Sequence, residues 1–213
     1  MRIAHRVNYL DAIQSAQVFS VADGIEFDIR DSGGKIIVYH DAFGTIGDAQ
    51  DFVEFLQFCP VDKFYIVNVK SEGIEHRAIQ LLEAHGITRF FLLDCSIPMI
   101  IRLGLKGERR LAVRFSEFEG METVRLMAQF VSWVWVDVFT CLPLNDWLAE
   151  YAQEALNLRI CLVSPELQGQ PDKISEYVDI LTQQNIKLDA VCTKMPQIIN
   201  DSWPSSLFLG PTK

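Results

Sequence analysis

The chain has 213 residues, enough for one full domain or two small ones, and its 49% hydrophobic and 22% charged residues exclude disorder as the main state. Its 19 basic and 28 acidic side chains leave a net charge of −9, which argues against a nucleic-acid polymer as partner. No apolar run reaches the ~20 residues of a membrane span, and the opening Met1-Arg2-Ile3-Ala4-His5-Arg6 lacks the apolar core of a secretory signal.

Short apolar runs recur along the chain, most followed by a stretch with helical spacing. The strand pattern covers Arg2–His5, then Gly24–Arg30, which a Gly33-Gly34 turn joins to a hairpin return at Ile36–His40. Further strands are predicted at Phe64–Lys70, Phe90–Asp94, Leu111–Phe115, Trp133–Asp137, Ile160–Val163 and Asp189–Thr193. Helices are predicted over Tyr9–Phe19, Ala49–Phe58, Ile74–His85, Met121–Phe130, Asp146–Leu156 and Lys173–Gln184. Ser96-Ile97-Pro98 reads as an N-cap with proline in the first turn, and Gly86 and Gly104 as helix ends. Trp203 reads as an exposed aromatic at an interface or a cap on the barrel bottom. Near-continuous apolar strands suit a parallel sheet covered on both faces.

Eight such units leave about 27 residues each, a lean version of the ~250-residue (β/α)8 TIM barrel. The expected architecture is therefore a compact single-domain α/β barrel over residues 1–213. A doubly wound open sheet is the rival, weakened because no glycine-rich phosphate loop follows the first strand.

Polar residues collect at the C-terminal ends of the early strands, where a barrel places its active site. Glu26 and Asp28, two apart on a strand, project to one face. Adjacent carboxylates repel unless a cation lies between them, and hard oxygen ligands suit Mg2+ or Ca2+. Asn68 and Lys70 repeat the spacing, with Asn68 as a neutral carbonyl ligand and Lys70 as an anion contact. The competing reading is an ion pair between Lys70 and a carboxylate of the Gly24–Arg30 strand. His5 and His40 are suited to proton transfer or, alternatively, to a satisfied core. Arg6 offers a planar fork for phosphate oxygens, or a salt bridge to Asp28 or Asp41. His76 and His85 are expected on a helix surface.

The five cysteines are odd in number and form no C-x-x-C pair. Four lie in or beside apolar runs, so buried reduced thiols and a cytoplasmic location are expected.

Three segments together, Ile3-Ala4-His5-Arg6, Gly24-Ile25-Glu26-Phe27-Asp28-Ile29 and Gly34–Asp41 with its closing His40-Asp41, resemble the glycerophosphodiester phosphodiesterase family. The late run Leu188–Pro196 is similar to that family's closing strand. The wider superfamily includes phosphatidylinositol-specific phospholipase C and sphingomyelinase D, and His5-Arg6-Val7-Asn8 is also similar to the latter.

The resemblance implies a TIM barrel and a phosphoric diester hydrolase. It implies His5 and His40 as the acid/base pair, Glu26 and Asp28 as metal ligands, and Arg6 and Lys70 as phosphate contacts. It also implies a Mg2+ or Ca2+ cofactor and attack on phosphorus by a neighbouring substrate hydroxyl. Where the family has a glutamate as third ligand, this chain has Asn68, so metal affinity should fall unless Glu117, Asp137 or Glu166 compensates. The stretch 41–67 is too short for the family's inserted subdomain, and Val7 and Leu162-Val163-Ser164-Pro165-Glu166 also depart from its pattern.

The expected function is metal-assisted cleavage of a soluble small-molecule phosphodiester, linked to glycerol, a sugar or a nucleotide. The alternatives are a non-catalytic barrel binding a phosphorylated ligand and a lyase that releases the cyclic phosphate. The oligomeric state is open.

Overall fold

The protein is described here by a computed structural model covering residues 1–42, 47, 49–197 and 202–209. Its sheet contains eight parallel strands: β1 (Arg2–Ala4), β2 (Gly24–Ser32), β5 (Phe64–Val69), β6 (Phe90–Leu93), β7 (Ala112–Phe115), β8 (Trp133–Val136), β9 (Arg159–Val163) and β10 (Ala190–Thr193). Two short strands extend it beside β2: β3 (Lys35–Val38) pairs antiparallel with β2, and β4 (Gln50–Asp51) pairs antiparallel with β3. Gly33 and Gly34 take φ of 60° and 83°, the left-handed pair that a tight hairpin requires.

The parallel strands follow the circuit β7-β8-β9-β10-β1-β2-β5-β6. At the seam between β6 and β7 one bridge joins Leu92 to Leu111, and the Leu92 N–H donates to the carbonyl of Arg110 at 2.9 Å. This curled α/β sheet fits a TIM-like barrel.

Helices lie along its outer face: α1 (Ala12–Val21), α2 (Phe52–Leu56), α3 (Glu75–Ala84), α4 (Ile97–Gly104), α5 (Met121–Met127), α6 (Asp146–Glu150) and α7 (Ile174–Gln183). Several begin at side-chain caps. Asp11 accepts from Gln14 N–H, Ser96 from Met99 N–H and Asn145 from Leu148 N–H, each relieving an orphan donor of the first turn. Residues Tyr151–Ala155 continue α6 as a π-helical turn.

Gly86 ends α3 in the left-handed region, as expected, at φ 76°. Gly104 does not end its helix that way. It is the last residue of α4, packed where a Cβ would come within 2.7 Å of Phe130, and the left-handed glycine is Gly107. Trp203 is also corrected: it is 2% exposed and part of the core, not a surface aromatic.

Strand alternation divides the apolar residues into two cores. Ile25, Phe27, Ile29, Tyr65 and Val67 face the helices. Ile3, Phe64, Ile66, Phe91, Trp133, Trp135, Cys161 and Cys192 pack on the inner face of the curled sheet. Trp133 stands 5.2 Å from the Phe64 ring and 4.9 Å from the Phe91 ring, so three strands close the lower interior with aromatics. Small residues make room opposite them. A Cβ on Gly24 would come within 2.2 Å of the Phe64 carbonyl oxygen.

Candidate active site

The inward parity that places Phe64 and Ile66 inside continues up the same strand to Asn68 and, just past its end, to Lys70. On β2 the inward residues above Gly24 are Glu26 and Asp28, both 1% exposed. On β1 Ile3 is inward, and His5 follows it at the strand end. The chain then turns at Arg6, which takes the unusual φ of 53° for a non-glycine residue. The expected polar residues therefore meet at one end of the sheet because period-2 alternation carries them there.

Their contacts are specific. Arg6 N–H donates to Glu26 Oε2 at 2.7 Å, and the amide of Asn68 donates to Glu26 Oε1 at 3.0 Å. His5 Nε2 lies 3.7 Å from Glu26 Oε2. Lys70 Nζ lies 3.6 Å from Asp28 Oδ1 and 2.9 Å from Asp94 Oδ2. Arg6 Nε is 3.9 Å from Asp28 Oδ2, while its Nη2 is 3.0 Å from His40 Nε2. A guanidinium only donates, so Nε2 of His40 accepts and the ring proton sits on Nδ1, 2.8 Å from Asp41 Oδ1. The ion pairs weighed as alternatives for Arg6 and Lys70 thus form with Asp28, alongside contacts that join all seven expected site residues.

Burial pushes the Glu26 carboxyl up to about 7, helped by the neighbouring Asp28 charge and opposed by the Arg6 N–H, the Asn68 amide and Lys70. Burial likewise pushes the His5 imidazole down to about 4, reinforced by Arg6 and Lys194. His5 is therefore neutral at neutral pH, and its approach to Glu26 is not a charged pair.

Four partners were not picked out by sequence patterning. Asn8 clamps Asp28 twice: its Nδ2 donates to Asp28 Oδ2 at 2.8 Å, and its Oδ1 accepts the Asp28 N–H at 2.9 Å. Arg30 Nη2 donates to the His40 carbonyl at 2.9 Å. Asp94, with φ of 63°, receives Lys70 on one oxygen and Arg114 Nε on the other, the latter at 2.7 Å. Arg114 also reaches Asp137. The signal for Asp94 and Arg114 was a charge at or near the end of an apolar strand. Asn8 carried no such signal.

Two buried acceptors here lack a hydrogen bond: Oδ1 of Asn68, and Oδ1 of Asp28, from which Lys70 Nζ stands off at the ion-pair distance of 3.6 Å. They belong to residues paired directly across β2 and β5. Such orphans are costly unless something positive satisfies them. Together with Glu26 they form an all-oxygen donor set that fits a hard divalent cation. Among the described residues no group of three His, Cys, Asp or Glu side chains is placed to hold a metal. The acids expected to compensate for the missing carboxylate are engaged elsewhere. Glu117 accepts from Thr140 and Cys141, Asp137 takes Arg114, and Glu166 is buried among Ser164, Thr193 and the Lys194 N–H.

Of the other expected residues, His76 is exposed and His85 half-buried at the end of α3. All five cysteines are free; only Cys141 is exposed. Among the described residues no helix is long and apolar enough to cross a membrane. A larger cavity, about 790 Å3, opens around Met1, Phe64 and Trp133 at the opposite ends of the strands, away from these groups.

No family model matches the chain, and no curated protein matches it. Solved structures do. A glycerophosphodiester phosphodiesterase from Thermotoga maritima superposes with a TM-score of 0.65 at 15% identity, over 94% of this chain and 96% of that one. A putative glycerophosphoryl diester phosphodiesterase from Agrobacterium tumefaciens gives 0.65 at 16%, over 92% and 94%. An Oleispira antarctica phosphodiesterase in complex with the product sn-glycerol-3-phosphate gives 0.60 at 16%, over 96% and 97%. At these identities the likeness is one of fold: the chain has the fold of the glycerophosphodiester phosphodiesterases, the family that its three motifs resemble.

Proposed function

We propose that the chain is a metal-assisted phosphodiesterase on a closed (β/α)8 barrel, cleaving a small diester of glycerol, a sugar or a nucleotide. The observation that carries this reading is the meeting of His5, Arg6, Glu26, Asp28, His40, Asn68 and Lys70 at one end of the sheet, with unsatisfied acceptors on Asp28 and Asn68.

Glu26, Asp28 and Asn68 would hold Mg2+ or Ca2+. When bound, the cation offsets charge on the phosphoryl oxygens and lowers the pKa of the attacking hydroxyl. Arg6 and Lys70 supply donors to the same oxygens. Arg6 now caps Nε2 of His40, so drawing its guanidinium onto a phosphate frees that lone pair for proton transfer. A neighbouring substrate hydroxyl forms the new P–O bond, and its proton passes to one histidine. The other histidine gives a proton to the leaving oxygen as the old P–O bond breaks, which requires it to be charged once substrate is bound. The phosphate's negative charge opposes the burial and the Arg6 charge that keep His5 neutral in the free protein. Water then opens the cyclic phosphate. Each proton-transfer role is worth ~10²–10⁴ in rate.

One observation favours a second reading, a barrel that binds a phosphorylated ligand without turnover. Asn68 stands in the third-ligand position and gives its amide to Glu26 instead of a charge to a metal.

The test is hydrolysis of bis(p-nitrophenyl) phosphate and a panel of glycerol, sugar and nucleotide diesters with EDTA, Mg2+, Ca2+ or Mn2+. Metal-dependent release that is lost in both His5→Ala and His40→Ala, with folding retained, is expected. Ligand binding with no turnover under any metal establishes the binding barrel instead.

A further inference from the structure

A cavity of about 480 Å3 shares His5 and Arg6 with the candidate active site and runs along Gln14, Gln17, Val18 and Val21 on the α1 side, with Lys194 across from them. Its size lies within the ~300–1,000 Å3 of small-molecule sites. The helix beside it is unusual for a surface helix. None of the ten residues of α1, AIQSAQVFSV, is charged, and none is fully buried. Val21 is 38% exposed, and Tyr9, which also borders the cavity, is 50% exposed. Amphipathic barrel helices ordinarily turn charge outward. Here the charge along the cavity is confined to Arg6 and Lys194, and the remaining lining is apolar or neutral.

A charged end joined to an uncharged wall, in which Val7, Val18, Val21 and Pro196 alternate with neutral polar side chains, is the complement of an amphiphile. We propose that this groove is the subsite for one alcohol of the diester, and that this alcohol carries an uncharged alkyl chain. The inference rests on the phosphodiesterase reading and adds its substrate class. The phosphoryl group lies at His5 and Arg6, and the chain runs along Val18 and Val21. Each methylene withdrawn from water there favours binding, so recognition grows with chain length.

The test uses glycerol phosphodiesters of methanol, butanol and octanol, all below their critical micelle concentrations. The glycerol hydroxyl attacks phosphorus and the alkanol leaves with a proton. From methyl to octyl, kcat/KM is expected to rise at least about tenfold. Val21→Lys, at an exposed position, should bring the octyl-to-methyl ratio toward one, and Gln17→Leu should steepen it. Circular dichroism and melting confirm that both variants fold.

A second readout does not need turnover. Octyl phosphate should bind at least about tenfold more tightly than methyl phosphate, with Val21→Lys removing the difference. Methyl-ester turnover without chain-length dependence overturns the subsite and leaves the phosphodiesterase reading intact. Absent turnover with chain-length-dependent binding does the reverse. Equal binding of the two monoesters, or dependence that begins only above the micelle concentration and so reports docking to a lipid surface, overturns the subsite.

Discussion

Arg6 and His40, 34 residues apart, meet through a 3.0 Å contact between a guanidinium nitrogen and the imidazole Nε2. The same Arg6 anchors Glu26 through its backbone N–H, so one residue links the first strand end, the β2 carboxylates and the hairpin return. Replacing Arg6 with Ala leaves the N–H to Glu26 but removes the contact to His40. The expected outcome is a loss of kcat/KM of about 100-fold or more, the size of one lost charge-stabilising donor. Nitrogen NMR is the independent check. The wild-type His40 ring should be the Nδ1–H tautomer, which Asp41 still holds in Arg6→Ala, while the Nε2 resonance should shift in that variant as the nitrogen loses its donor. An Nε2 resonance unchanged between the two proteins would remove Arg6 from this role.

Asn68 gives its amide to Glu26 and leaves its own Oδ1 without a donor. Asn68→Glu exchanges that amide for a third carboxylate. Without metal, three buried carboxylates repel and the melting temperature should fall. Saturating Ca2+ or Mg2+ should restore it, through binding to the folded state alone. Calorimetry should show metal affinity raised about tenfold or more over wild type, the effect of adding a ligand charge. Unchanged affinity would mean that Glu26 and Asp28 do not share a cation with position 68.

Glu26 and His5 pull stability in opposite directions as pH changes. The carboxyl of Glu26, raised to about 7, binds its proton more tightly in the folded protein. Its contribution is full below the ordinary glutamate range and is lost as pH rises through about 7. The imidazole of His5, lowered to about 4, releases its proton more readily in the folded protein. Its contribution is full above the ordinary histidine value and is lost as pH falls toward about 4. In the metal-free protein the two slopes largely cancel between these limits. Urea unfolding in EDTA should therefore show Glu26→Gln gaining stability as pH rises from about 4 to 6.5, and His5→Asn losing it from about 4.5 to 7. Parallel profiles for the two variants would contradict the opposed shifts.

Gly24 lies inward below Glu26, where a Cβ would come within 2.2 Å of the backbone oxygen of Phe64. The obstacle is main chain, so no side-chain rotation relieves it. Gly24→Ala should cost about 3 kcal/mol or more and force β1, β2 and β5 apart, lowering metal affinity with it. Denaturant titration measures the first effect and calorimetry the second. A cost below about 1 kcal/mol would mean that the strands yield easily there.

Much of this architecture was legible along the chain. Strand alternation is a local property, so the pairing of Glu26 with Asp28 and of Asn68 with Lys70 on shared faces follows from spacing alone. Gly33-Gly34 declares its turn because few other residues take that backbone conformation. The Ser96 cap acts within one turn, so it too is visible locally, whereas the expected helix over Tyr9–Phe19 ran through Asp11, which proves to be the cap of a helix beginning at Ala12.

What needed the folded molecule was which neighbours those faces would meet. β2 pairs with β5 although β3 and β4 come between them in the chain, and that adjacency brings the Asn68 amide to Glu26. Asn8 becomes the clamp on Asp28 only once the chain turns at Arg6 and passes over the end of β2. Asp94 captures Lys70 because β6 stands beside β5, and Trp203 is buried by segments far from it in sequence. Composition and period determine which side of its own strand each residue occupies. Contacts between strands depend on chain closure over long separations, and these decided which of the inward polar groups pair, which remain unsatisfied, and where the groove beside α1 opens.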